Sequence, residues 1–290
     1  MNIRSSLLLL FLLFSLASYT QKNNFTSYTV RDGLPQNTVY KIFQDSKGYI
    51  WLGTDGGGIS KFDGRKHTYF KKEDGLASNV VRDILEDKDG NIWLATNEGV
   101  SIYDGIDFKT ISEEDGLISN TVVKIYEDSK GRVWVGSTGG GLSYISIKDS
   151  FQVANFTSSD GLSSNNVFSI LEDNYERLWL GFIGGPPQMV DLVDNKLVTQ
   201  NITTTSNYDL NAIYCGTKDN EGNIWFGSIY NGAYKFENIA LNSNPTVINY
   251  SVLSGLKDNY ILDINPVGST IWLATNNGGV HYITDNEVNR

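Results

Sequence analysis

The stretch DKDGNIWLATNEGVSIYDG, residues 87–105, decides how this chain is read, because it returns with small changes along the sequence. Upstream stands DSKGYIWLGTDGGGISKFDG (45–64); downstream follow DSKGRVWVGSTGGGLSYIS (128–146) and DNEGNIWFGSIYNGAYKFEN (219–238). Each copy spells a turn, an apolar strand holding a tryptophan, a second turn and another strand. Trp51, Trp93, Trp134, Trp179, Trp225 and Trp272 are all the tryptophans of the chain and lie 42, 41, 45, 46 and 47 residues apart. A period of about 40–50 residues with four short strands per unit predicts a β-propeller.

One unit shows the strands. VVRDILED (80–87), NIWLAT (91–96), VSIYD (100–104) and DFKTIS (107–112) are short apolar runs separated by DKDG, NEG and DG turns. No helical period appears in the remainder, so the fold class is all-β, a single propeller of six four-stranded blades. The sixth unit reads clearly only through its third strand, GVHYIT (279–284), whereas NFTSYTVRDGL (24–34) looks like a fourth strand with no blade before it. The expectation is a ring closed by pairing of this N-terminal strand with the last blade, which would also hide two sheet edges. A next blade absent from this sequence is the alternative.

Composition narrows the function. The chain has 290 residues, 40% of them apolar, and a formal net charge of −10. No basic cluster interrupts that acidity, which argues against nucleic acid or an anionic membrane surface as partner. The N-terminus, MNIRSSLLLLFLLFSLASYTQ, has one arginine and then an apolar run too short to span a bilayer. This predicts a signal peptide over 1–20, export to the periplasm or beyond, and a mature propeller over 21–290 that does not insert into a membrane. Cys215 is the only cysteine, so neither an internal disulfide nor a cysteine-based zinc site is available, and no cofactor or metal is expected. The DKDGN turn places its glycine at position four, which is wrong for a calcium loop of the EF-hand kind.

The repeat DGL-x-x-N-x-V-x-x-I-x-x-D-x-x-G-x-I-W-[LV]-G-T-x-x-G-[GL] resembles the two-component regulator propeller repeat, from about Phe25 to Ile283. The resemblance implies the extracytoplasmic sensor half of a hybrid histidine kinase, with an oligosaccharide as ligand and dimerisation as its working state. The kinase and membrane helix of such sensors are not encoded in these residues. Blade five departs from the pattern with NYDLN (207–211) and blade six with SGL (254–256).

Residues shared by every blade serve packing and turns; a ligand meets the ring asymmetrically, so binding residues are sought where blades differ. The tryptophans, the asparagines at 37, 79, 120, 165, 211 and 259, and the turn aspartates Asp45, Asp87, Asp128 and Asp219 are therefore read as architecture. The loops after the tryptophan strands differ most and share a face with the DGLxxN loops. They contribute the candidate ligand-binding residues Asp55, Asn97, Glu98, Phe182, Tyr230, Asn231, Asn276 and Asn277, aromatic and polar groups suited to sugars. Along the channel, Lys41, Asp83, Lys124, Ser169, Cys215 and Asp263 share one register, and an ion-pair chain is expected through Asp263, Lys41, Asp83 and Lys124. His67 and His281, the only histidines, fall on outer strands, so no catalytic residue is assigned. The reading is a non-catalytic sensor propeller for an oligosaccharide. A protein-interaction propeller, a piece of a larger sensor kinase and a propeller lyase are the alternatives.

Overall fold

The computed structural model describes residues 27–146, 152–202, 208–240 and 245–289. The predicted signal peptide lies outside them. Six sheets of four antiparallel strands each form a ring of six blades, with single 3₁₀ turns between most blades. Blade two illustrates the unit: Val81–Glu86, Ile92–Thr96, Gly99–Tyr103 and Phe108–Ile111 pair in that order from the channel outwards.

The invariant residues build one device. In five blades the turn aspartate accepts from the indole Nε1 of the tryptophan six residues on, at 2.7–2.8 Å, from Asp45–Trp51 through Asp219–Trp225. Its other oxygen accepts two backbone N–H groups of the same turn, as Asp87 does from Asp89 and Asn91. A buried indole donor and a tight turn are thus satisfied by a single carboxylate. Asp173 belongs to this set although its turn, DNYER, carries Glu176 at φ 61° where the other blades have glycine. The asparagines fix the inter-blade loop: Asn79 and Asn120 accept from the backbone N–H seven residues upstream, at 2.9 and 2.8 Å. Gly75 ends the preceding 3₁₀ turn at φ 101°, which only glycine adopts without strain.

Each of the first five tryptophans packs against the first strand of the next blade. Trp51 meets Val81 and Ile84, Trp93 meets Val122 and Ile125, and the pattern continues until Trp225 meets Ile261 and Ile264. Five apolar clusters therefore weld five junctions. Among the described residues no such cluster joins blade six to blade one. Lys41 Nζ and Asp263 Oδ2, 3.6 Å apart, form the ion pair that crosses that seam.

The expected strand exchange is not how the last blade is completed. Its fourth strand is Glu287–Asn289, paired with Tyr282–Thr284 in the preceding strand. The cause is local: Asp285 and Asn286 both take positive φ, 51° and 62°, and make a two-residue hairpin turn matched to strand twist. Asp194 and Asn195 do the same in blade four, at 50° and 61°, between Gln188–Val193 and Lys196–Asn201. At the other end of the chain Thr29 caps the 3₁₀ turn Val30–Asp32, so residues 27–34 form an inter-blade loop without strand pairing.

Candidate functional site

The first strands line a central cavity of about 560 Å³. Alternation should send every second side chain into it. Instead each first strand carries a β-bulge at its second residue, with the register slipping between Val39 and Lys41, Val81 and Asp83, and likewise in the other four blades. A bulge re-aims a side chain. In five blades two consecutive residues therefore line the cavity, Tyr40 with Lys41 and Arg82 with Asp83 among them; in blade four Phe168 does so and its neighbour Ser169 does not.

The lower tier is electrostatic. Lys124 Nζ reaches Asp83 Oδ2 at 2.8 Å, and the same oxygen accepts from the Ile125 N–H at 3.1 Å. Burial by itself would raise the Asp83 carboxyl, but the ammonium groups of Lys124 and Lys41 override it and hold Asp83 below the usual carboxylate range. Burial opposes charge on Lys41 too, and Asp83 and Asp263 reverse that, so its ammonium is held more firmly than usual. The expected order Asp263–Lys41–Asp83–Lys124 is thus realised as two ion pairs coupled through Lys41 and Asp83. Cys215 closes this tier; burial pushes its thiol well up, away from thiolate chemistry.

The upper tier, at the mouth, consists of the bulge residues and is different in kind. On blades one and two the Arg82 guanidinium lies 5.0 Å from the Tyr40 ring centre, and its Nε donates to Asn97 Oδ1 at 2.9 Å. The Tyr40 hydroxyl interacts with both Arg82 and the Asp55 carboxylate, and burial is the main reason its pKa lies above the usual phenol value. Across the mouth, Phe168 and Tyr214 have ring centres 5.5 Å apart, and Tyr260 stands edge-on to Tyr214 at 5.8 Å. One wall is a polar ladder and the other an aromatic shelf.

The predicted loop residues divide accordingly. Asp55 and Asn97 join the ladder, and Tyr230 lies exposed within electrostatic range of Tyr260. Asn276 and Asn277 are exposed on the same face, their backbone N–H groups tied to Tyr260 O and Asp258 Oδ2. Asn231 is turned to structural use, donating to Asp209 O at 3.1 Å. Glu98 is taken by an ion pair with Lys72. Phe182 does not reach the face: it is fully buried in the cluster between blades three and four, because the second strand continues through it instead of ending before it. Tyr40, Arg82, Phe168, Tyr214 and Tyr260 are the mouth residues that loop comparison misses. For the first four, the sequence signal is the variability of the series Tyr40, Arg82, Val123, Phe168, Tyr214 and Leu262 just after an invariant Val or Ile, but alternation assigns that position to the blade interior; Tyr260 stands before that Ile, at the end of the inter-blade loop.

Both histidines are accounted for by the architecture. His281 Nε2 accepts from the Lys257 N–H at 3.2 Å, just as Ser101 Oγ accepts from Ala77 and Gln188 Oε1 from Ser163 in other blades. Burial lowers its pKa, so the ring is neutral. His67 Nδ1 is 2.8 Å from Ser60 Oγ and its ring stacks on Phe62. No group of three or more His, Cys, Asp or Glu side chains suited to a metal occurs among the described residues, and none of the helices there is long and apolar enough to cross a membrane.

Comparison with known proteins fits this architecture. The family model "Two component regulator propeller" matches residues 33–56, 75–98, 116–139 and 161–184, each the loop and first two strands of a blade. The extracellular domain assigned to a hybrid two component system of B. thetaiotaomicron superposes with a TM-score of 0.72 at 27% identity, over 84% of this chain and 32% of that one. Histidine kinase P4 of Formosa agariphila is 43% identical over 65 residues, 22% of this chain and 4% of the kinase. The chain thus spans about a third or less of the sensor proteins it matches. Virginiamycin B lyase from Staphylococcus aureus shares the fold, with a TM-score of 0.62 at 17% identity, covering 82% of this chain and 78% of the lyase. Blades five and six continue the same four-stranded geometry, and blades one to four are built on two component regulator propeller repeats.

Proposed function

We propose that this propeller is the ligand-binding part of an extracytoplasmic sensor, exported by its N-terminal leader, and that it takes an oligosaccharide at the channel mouth without chemically altering it. The observation that carries this reading is the mouth itself. An aromatic shelf of Phe168, Tyr214 and Tyr260 faces the polar ladder Asp55–Tyr40–Arg82–Asn97 above a cavity of about 560 Å³. Sugars offer C–H faces to aromatic rings and hydroxyls to planar polar groups, and this site offers both. The non-catalytic part of the reading is supported by the roles above: His281 is a neutral buried loop anchor, Cys215 is a protonated wall residue, and Asp83 is held in an ion pair. General acid–base work needs a proton-transfer group free to meet substrate.

Thermal unfolding of residues 21–290 against a panel of plant and algal oligosaccharides tests the reading. A ligand at a hundredfold its Kd adds about 2.7 kcal/mol, which for a domain of this size raises Tm by roughly 5–10 °C. Loss of that shift in Tyr214→Ala, with the unliganded Tm retained, places the ligand at the shelf. A panel that moves nothing while the protein unfolds sharply refutes the sugar reading.

A further inference from the structure

One charge at the channel mouth is left unanswered by the architecture. Of the six bulge residues that line it, only Arg82 is ionised; the others are aromatic or aliphatic. Its guanidinium lies 5.0 Å from the Tyr40 ring centre, and its Nε donates to Asn97 Oδ1 at 2.9 Å. Neither partner carries a counter-charge. Among the described residues no carboxylate forms an ion pair with Arg82. The acid on this side of the mouth, Asp55, is engaged by the Tyr40 hydroxyl. Lower in the channel the charges are spent: Lys124 on Asp83 at 2.8 Å, Lys41 on Asp263 at 3.6 Å, and Glu172 on the Ser129 N–H and Oγ, both at 2.9 Å. Lys218, the remaining cation of the lining, stands at the far end of the strand that begins beside Tyr214. The channel is thus locally positive in a chain whose net charge is −10.

The free cation faces the aromatic shelf. Burial holds the Tyr214 phenol above its usual pKa, and the Arg82 guanidinium opposes that from across the mouth, so its charge is felt where the shelf begins. A sugar ring lying on Tyr214 therefore brings its substituents within reach of Arg82. The stack on Tyr40 and the bond to Asn97 fix the guanidinium plane in advance, which lowers the cost of ordering it around a ligand. A guanidinium binds a carboxylate or sulfate through parallel, charge-assisted hydrogen bonds and a neutral hydroxyl only through a weaker one. On the reading that the mouth binds a sugar, we propose that it selects one bearing an anionic group, a uronate carboxylate or a sulfate ester, with that group on Arg82 and the ring on Tyr214. The acidity of the chain as a whole repels charge placed beyond the mouth. The fit is accordingly to a short fragment with its anion at the channel, and not to a long polyanion.

Calorimetric titration with trisaccharides in matched pairs tests this: galacturonate against galactose, mannuronate against mannose, and sulfated against desulfated galactan. In at least one pair the acidic member should bind about tenfold or more tighter than its neutral counterpart. Raising NaCl from about 0.05 to 0.5 M should weaken the acidic member several-fold and leave the neutral one unchanged. Methyl-esterified galacturonate or mannuronate loses the advantage when the anion is a carboxylate; the galactan pair reports a sulfate. Arg82→Gln should weaken the acidic member about tenfold or more and the neutral one by less than about twofold, whereas a merely structural role for Arg82 would lower both alike. Asp55→Asn, which removes a negative charge from the mouth, should tighten the acidic member alone. Neutral sugars that bind as tightly as their acidic counterparts overturn the proposal and leave the oligosaccharide reading standing. So does acidic binding that ignores both salt and Arg82→Gln. If no sugar of either kind binds, the oligosaccharide reading fails and this proposal falls with it. Should Arg82→Gln fail to fold, the matched pairs and the salt series on the parent protein still decide.

Discussion

Replacing Asp83 by asparagine tests the electrostatic tier with almost no change of shape. The Asp83 side chain is 5% exposed, and its Oδ2 serves both the Lys124 ammonium and the Ile125 N–H. An amide can keep an oxygen near both donors but cancels neither Lys124 nor Lys41. Breaking one side of a buried pair costs about 3–5 kcal/mol. Lys124 retains 22% of its side-chain exposure, and that access to water trims the cost to about 2–3 kcal/mol. The Tm at pH 7 should fall by roughly 5–10 °C. The sign with pH follows from the depressed carboxyl of the folded ring. Its contribution is complete above the unfolded value near 3.9 and is lost as pH falls towards the lower folded value. The gap between parent and variant should therefore stay constant from about pH 8 to 5 and close below about pH 4. Urea denaturation followed by tryptophan fluorescence measures it. A variant as stable as the parent at pH 7, or a gap that widens in acid, refutes the reasoning. Replacing both partners by apolar residues should cost far less than Asp83→Asn, because no charge is then stranded.

Three further outcomes are expected. Asp87→Ala strands the Trp93 indole and two turn N–H groups and should cost about 3–4 kcal/mol; a double-mutant cycle with Trp93→Phe should return a coupling of at least about 1 kcal/mol. Trp225→Ala should lose about 3–5 kcal/mol, whereas Trp272→Ala, at the open seam, should lose less than half of that in the same urea titration. His281→Gln, borrowing the residue that blade four uses at this position, should remove one pH dependence. The buried imidazole is neutral when folded, so the parent loses stability as pH falls below about 6.5 and the variant does not.

Much of this molecule was legible in its repetition, and the reasons are local. Six copies of a turn–strand–turn–strand phrase compel six four-stranded blades, because no single copy can bury its own tryptophan face. The same logic identified the asparagines as loop ties and placed Lys41, Asp83, Lys124 and Asp263 on one ring, as their two ion pairs bear out. The completion of blade six was misread because Asp285–Asn286 lacks the glycine of a familiar hairpin turn, although asparagine and aspartate also accept positive φ.

What the tertiary structure alone decided is which side chains meet in the channel and which junction is unsealed. A strand's alternation is a property of its own backbone and can be read from sequence. A bulge arises from pairing with a neighbour, so nothing in VYKIF announces that Tyr40 and Lys41 both turn towards the axis. For the same reason Ile42 and Ile84 are equivalent as letters in a repeat and opposite in environment. Burial depends on what stands across the interface, and that is a fact about the ring, not about the strand.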